Sequence, residues 1–467
     1  MEVAPPSFGR DNLKRHRLRK KLPLIATLAA ISIAIGGYVF GLALIQSHRH
    51  AYYDFEDLVE PRLIDATIVS WLLFFCSSIG SFLNVVAWRM PRGEGIGGHS
   101  HCPRCANTLK IQDNVPILGW ISLGGRCRFC SLPISRRYPI VEALVGITLT
   151  LIGITQLYSL ALPAQFVHGH GGPLWAPRVS PQLLAILTYH TVAVSTLWAM
   201  ALIRIDGTRL PTRLVVFAGV AVVVPMLAYP TVMVVPWQAS RPLGWVPDGL
   251  HVDAIMRVAS ALVAAALFGR VLAKGLCPSA DLKLDPLGTG TARLVDLIAM
   301  LSIPALVIGW QSMPALVIVA AVLAILLRRL LRWIPINDGP RGQIARRGAM
   351  ESFAFALPFA LTLHLVFWRM LWETPAWPSD HSSRSAIIVA ALAVLAVPFF
   401  LTDRTAATAT ASATASATAT ATASDDGKLT VPDNDPAEDG STDELPDYHR
   451  DCESDDGDQR RDDPPGP

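Results

Sequence analysis

Residues 100–139 read "SHCPRCANTLKIQDNVPILGWISLGGRCRFCSLPISRRYP", two Cys-x-x-Cys pairs and a group of arginines lying between long apolar runs. The polar insert makes sense only once the runs around it are understood. The chain has 467 residues, of which 51% are hydrophobic and 16% charged. Soluble domains carry about 25% charged residues, so the deficit points to a membrane protein. A bilayer crossing needs roughly 20 predominantly apolar residues. Runs of that kind fall near 22–46, 64–88, 139–160, 182–205, 213–236, 254–273, 294–310, 313–327, 351–372 and 386–402. The expected fold is an all-α polytopic membrane protein with about eight to ten transmembrane helices. A small cytoplasmic four-cysteine zinc-binding module and a disordered C-terminal tail complete it.

Charge sets the orientation. The first run follows "RDNLKRHRLRKK", which keeps its N-terminal flank in the cytoplasm. That run is longer than a signal-peptide core and lacks a small-x-small cleavage site, so it reads as an anchor. Alternation then puts 89–138 inside, with eight Lys/Arg against Glu94 and Asp113. Segment 328–349, with six arginines against Asp338, also falls inside. The loops assigned outside (47–63, 161–181, 237–252 and 373–385) hold five arginines together. The expected division is a basic N-terminus over 1–21, helices one and two over 22–88, the cysteine module over 89–138, a membrane core over 139–402 and an acidic tail over 403–467. The tail opens with the Ala/Thr/Ser tract "TAATATASATASATATATAS", which offers nothing to a packed core.

Cys102, Cys105, Cys127 and Cys130 supply four sulfurs on two tight turns, a donor set suited to a tetrahedral zinc ion. A loop of about 50 residues has little core of its own, and a metal closes it. Four thiolates leave no open coordination position, so the role expected for the ion is structural.

The run "GSFLNVVAWRMPRG", the two knuckles with "NVPILGWISLGGRCRFC" across them, and "PISRRYPIVEALVG" resemble, continuously from Gly80 to Gly146, the N-terminal module of bacterial prepilin peptidases. The resemblance implies a polytopic enzyme of the bacterial inner membrane, with its N-terminus and active site cytoplasmic. Its substrate is implied to be a type IV prepilin or type II secretion pseudopilin, cut behind a short basic leader. It also implies a second activity, N-methylation of the new terminus with S-adenosylmethionine. The partners expected are that substrate and the lipid bilayer, with no nucleic acid.

The family's catalytic aspartates carry over onto Asp206, in "ALIRIDGTRLPTRLV", and Asp281, in "GLCPSADLKL". Two carboxylates held close share one proton; the ionised one activates water and the protonated one polarises the scissile carbonyl. Both motifs depart from the family pattern. Pro278 and Ala280 stand where glycines are expected, and an ungapped match sets Arg204 where the family often has an earlier aspartate. Asp285 and Asp296 are nearby rivals. The competing reading is a catalytically inactive, peptidase-derived membrane scaffold that keeps the zinc module; a transporter is a weaker one. His168 and His170 are expected in an outer loop. His190 and His364 are expected to hydrogen-bond between helices, Arg257 and Arg270 to snorkel, and most tryptophans to lie near span ends or in loops.

Overall fold

The computed structural model describes residues 10–49, 54–102, 104–163, 177, 179–237, 249–280, 283, 285–332, 348–380 and 382–402, with the backbone alone for 10–21 and 330–332. All belong to one unit, Met1–Ala411. His168, His170, Asp281 and the tail from 403 lie outside the described residues.

Each apolar run is helical. In chain order the helices are α1 (Arg10–Gly36), α2 (Leu42–Arg49), α3 (Phe55–Arg89), α4 (Leu118–Ser122), α5 (Arg137–Leu157), α6 (Pro181–Ile205) and α7 (Thr212–Ala228). Then follow α8 (Leu250–Leu276), α9 (Thr289–Ile308), α10 (Met313–Arg332), α11 (Ala349–Val366), α12 (Trp368–Glu373), α13 (Arg384–Val394) and α14 (Val397–Phe400). Among the described residues, seven helices are long and apolar enough to cross a membrane. Two further apolar helices, Thr212–Ala228 and Arg384–Phe400, are shorter, and α10 has 20 residues. Among the described residues there are no strands, only the isolated bridges His101–Thr108 and Arg126–Pro133.

Contacts at the helix ends sort the loops into two sets. At one end, Asn84 near the end of α3 donates to the Tyr138 carbonyl in the first turn of α5 (3.3 Å). Arg137, first residue of α5, pairs with Asp206 at the end of α6. Arg204 of α6 pairs with Asp296 of α9 and Glu351 of α11. At the other end, the Tyr158 hydroxyl after α5 donates to Asp65 near the start of α3. Arg257 near the start of α8 donates to the Val307 carbonyl near the end of α9 (3.1 Å). Those contacts reproduce the alternation that the charged loops imply, and the cysteine module shares its end with Asp206.

Helix α6 is the centre. It is apolar on every side, as a helix enclosed by others should be, and twelve of its residues from Ala193 to Ile205 are buried. Trp198 sits here, fully buried, rather than near a span end. Its indole N–H donates to Thr148 Oγ1 of α5 (3.1 Å), and its ring meets Phe355 and Phe359 of α11 edge-on. Arg257 likewise does not snorkel; it is 2% exposed and donates to the Val307 and Val235 carbonyls. Inside a bundle, unfilled carbonyls are nearer partners than the interface. His190 does bond across helices, to Gln156 of α5 (2.8 Å), whereas both ring nitrogens of His364 lack a hydrogen-bond partner and its ring lies beside Trp368 and Trp377.

Helices α3 and α5 approach closely because two glycines allow it. A Cβ on Gly80 would stand 2.9 Å from Glu142 Cα, and one on Gly146 would stand 2.2 Å from Ser77 Oγ. Small residues let helices pack in lipid, where backbone-to-backbone contact replaces the hydrophobic drive available in water. Gly146→Leu is therefore expected to destabilise the bundle by about 1–3 kcal/mol. Its thermal midpoint in detergent should fall, while Gly219→Leu, where a side chain meets open space, should leave it unchanged. Equal midpoints for both variants would remove the close-packing argument.

Candidate metal centre and acidic site

The two knuckles are built alike. The Cys102 N–H donates to the Asn107 carbonyl (3.0 Å) and the Cys127 N–H to the Leu132 carbonyl (2.9 Å). In the same way Ala106 N–H closes on Cys102 O and Ser131 N–H on Cys127 O. Ala106 and Ser131 adopt positive φ (54° and 58°) to complete the two turns. The result brings one sulfur from each of Cys102, Cys105, Cys127 and Cys130 within 4.8 Å of all the others. Cys102 Sγ lies 3.9 Å from Cys130 Sγ, and Cys105 Sγ 4.0 Å from Cys127 Sγ. Four thiolates about 2.3 Å from a tetrahedral ion stand about 3.8 Å apart, so the cluster can hold a metal ion.

The electrostatics of the cluster point the same way. The Asn107 backbone N–H, helped by the Asn107 amide, holds Cys105 down to about 7. The Cys130 backbone N–H lowers Cys127. Cys130 is pushed up to about 11: the Leu132 N–H pulls it down, but desolvation and the neighbouring cysteines push harder. Four sulfurs this close cannot all ionise by themselves, and a bound dication removes that conflict.

Polar contacts hold the module together and tie it to the membrane helices. Glu142 of α5 accepts the Ile117 N–H (2.7 Å) where Ile117 takes φ 62°. Arg128, beside the second knuckle, grips the buried Asp113 with two bonds of 2.5 and 2.8 Å. The Trp120 indole donates to Ile134 O (3.1 Å). Arg89, last residue of α3, donates to the carbonyls of Gly95, Gly97 and His99.

Asp206 follows α6 as its C-cap. Both its carboxylate oxygens are held by the Arg137 guanidinium, one Nη2–Oδ2 bond measuring 2.7 Å, and Arg137 also reaches the Leu202 carbonyl. Arg204, the penultimate residue of α6, occupies a buried ion cluster. Its Nη1 lies 3.1 Å from Asp296 Oδ2 and its Nη2 3.2 Å from Glu351 Oε1. Arg293 approaches the same Glu351 oxygen at 3.3 Å. Asp296 also accepts the Leu210 N–H after the turn (3.3 Å). The Cys277 thiol donates to Met350 Sδ (3.5 Å), joining the end of α8 to the start of α11.

Of the residues singled out from sequence, the four cysteines come together. Asp206 joins Arg137, and Asp296 turns out to be a buried partner of Arg204. Asp285 is exposed in the turn before α9, where its carbonyl accepts the Thr291 hydroxyl (2.8 Å). Arg137 and Glu351 were not foreseen as site residues. A signal for Glu351 existed: it is a lone carboxylate at the head of an apolar run, and such a group needs a partner.

These features define a polytopic helical membrane protein with an insert between two closely packed helices whose four cysteines could hold a metal ion. Residues 74–156, spanning that insert and most of its flanking helices, match the family described as Bacterial Peptidase A24 N-terminal domain. A prepilin leader peptidase/N-methyltransferase of Myxococcus xanthus is 42% identical over 101 residues, 19% of this chain and 30% of that protein. A type 4 prepilin-like proteins leader peptide-processing enzyme of Escherichia coli is 42% identical over 95 residues, 16% of this chain and 35% of that protein. A prepilin leader peptidase/N-methyltransferase of Klebsiella pneumoniae is 30% identical over 168 residues, 32% of this chain and 68% of that protein. The chain belongs to the prepilin leader peptidase/N-methyltransferase family. It spans about a third of the length of the first two relatives. No solved structure matches.

Two outcomes follow from the geometry. The purified full chain is expected to carry about one tightly held transition-metal ion, and Cys102→Ser/Cys127→Ser almost none; elemental analysis with equal metal in both would remove the centre. Arg204→Met leaves two carboxylates facing one remaining guanidinium and is expected to cost about 3–5 kcal/mol. Adding Glu351→Gln to that variant should recover part of the loss in thermal midpoint.

Proposed function

We propose that the chain is a membrane aspartic endopeptidase that removes the short basic leader of a type IV prepilin or pseudopilin at the cytoplasmic face of the bacterial inner membrane. Asp206 and Asp281 are its catalytic pair, and Cys102, Cys105, Cys127 and Cys130 hold a structural zinc ion. The observation that carries the reading is the position of Asp206. It closes α6 at the end of the bundle shared with the cysteine module. The turn after α8 lies at that end too, with Cys277 against Met350, and its last described residue before the candidate partner is Ala280. Family membership supports the peptidase chemistry, and the arginine-rich loops at that end support the cytoplasmic orientation. Methylation of the new N-terminus with S-adenosylmethionine rests on the names of the relatives. The division of the chain proposed with this reading places the peptidase core within 139–402, behind the module at 89–138.

In the peptide-cleaving step, one carboxylate of the pair takes a proton from the attacking water while the other, protonated, donates to the scissile carbonyl. Asp206 can serve only if its oxygens face water, and Arg137 now holds both. Substrate binding must therefore draw Arg137 aside or use it to stabilise the carbonyl oxygen. That constraint also favours the second reading, a scaffold that keeps the metal module without the peptidase. Its specific support is the pair of guanidinium contacts, Arg137 on Asp206 and Arg204 in the buried cluster.

Cleavage of a prepilin by membranes containing the full chain separates the two. Asp206→Asn and Asp281→Asn are each expected to lower the rate by a thousandfold or more, the order seen when one member of a catalytic unit is lost. Full processing by both variants rejects the dyad. No processing by the parent chain, with its metal retained, favours the scaffold.

A further inference from the structure

At the end of the bundle opposite the cysteine module, α11, α12, the turn between α9 and α10 and the segment after α12 enclose a small cavity of about 10 Å³. Its walls include Ile308, Ser312, His364, Trp368, Trp377 and Asp380. Local bonds fix the segment that closes it. Ser312 Oγ donates to the Pro378 carbonyl (2.9 Å), Trp372 Nε1 to Asp380 Oδ1 (3.1 Å) and the Trp377 backbone N–H to the Thr374 carbonyl (3.0 Å).

Helix α11 delivers His364 to this space. The residue is 3% exposed, and its ring lies beside those of Trp368 and Trp377, with centroids 5.7 and 5.8 Å away. Neither imidazole nitrogen has a hydrogen-bond partner among the described residues, nor has the buried indole nitrogen of Trp377. Three such atoms at one cavity are costly in a bundle that lipid surrounds, where bulk solvent does not reach them. Cavities that stay dry are apolar, whereas a polar one takes up water once it has room and roughly two to four partners. The volume here is about that of a single water-sized sphere.

Chemistry selects among ligands of that size. The indole only donates, and a neutral imidazole carries one donor and one acceptor. A cation cannot accept from either N–H. An anion cannot donate to the bare imidazole nitrogen. Water does both.

We propose that this cavity is a water-binding site in which one ordered water bridges His364 of α11 to the Trp377 indole. The bridge fastens the segment 374–380 over the end of the bundle. It is independent of the peptidase reading, whose residues lie at the opposite end.

The test is a density map of the full chain in nanodiscs, resolved well enough to show ordered waters elsewhere, for the parent and for His364→Leu. The parent should show one water-sized peak within hydrogen-bond distance of a His364 nitrogen and of Trp377 Nε1, and the variant none. Leucine is close to histidine in volume, so the thermal midpoint in detergent supplies a sign. Substituting a bridged His364 strands the water's other partner, and the midpoint falls by about 1–3 °C. Substituting an unbridged one removes an unsatisfied buried group, and the midpoint rises. His364→Gln, which keeps a donor and an acceptor, should retain the peak and most of the midpoint. Trp377→Phe should cost less in the His364→Leu background than in the parent, because the water that both side chains bind is already gone. Should the leucine variant fail to fold, the peak is compared between the parent and Trp377→Phe, which should lose it. A dry cavity in the parent, a raised midpoint for His364→Leu, or equal costs of Trp377→Phe in both backgrounds overturns the proposal. A peak too dense for water assigns the site to a cation and overturns it as well.

Discussion

The end of the bundle that carries the candidate site is organised by one buried guanidinium. Arg204 is a buried cation, and desolvating a cation is costly unless paired carboxylates offset it. Asp296 from α9 and Glu351 from α11 meet that need, with Arg293 balancing the second. Three helices distant in sequence are thereby drawn to one point. The Leu210 N–H bonds to Asp296 in the same cluster, which fixes the turn that follows Asp206. An arginine where the family often has an aspartate is thus a structural element in this chain. The position ties the helix ends together through Asp296 and Glu351.

Arg137 connects that cluster to the four-cysteine module. It stands seven residues after Cys130, at the first position of α5, and its guanidinium holds Asp206. The knuckles set where the chain re-enters the membrane helices, Glu142 anchors the module's Ile117 to α5, and the Gly80 and Gly146 contacts fix α5 against α3. A closed four-sulfur site suits this work: it fixes a short polar insert that has too little apolar surface to fold alone.

Much of this was legible in the residues. The apolar runs gave the helices, and the loop charges gave their alternation, because each signal is local and is imposed by the solvent. The cysteine spacing gave the centre for the same reason, since a Cys-x-x-Cys turn delivers both sulfurs whatever surrounds it. Arg257, Trp198 and the partners of Arg204 were not legible. Taken alone, Arg257 and Trp198 fit interfacial anchors; in the structure each is enclosed by helices that lie far from it in the chain.

By itself, the sequence determined that the chain crosses a membrane several times and carries a four-thiol insert between two of the crossings. Those properties depend on the hydrophobicity of contiguous segments and on donors a few residues apart. Only the tertiary structure decided which charges neutralise one another: Arg137 with Asp206, and Arg204 with Asp296 and Glu351. Pairing energy depends on separation and on the local dielectric, and packing sets both. The same sequence positions would carry different chemistry if the helices met in another order.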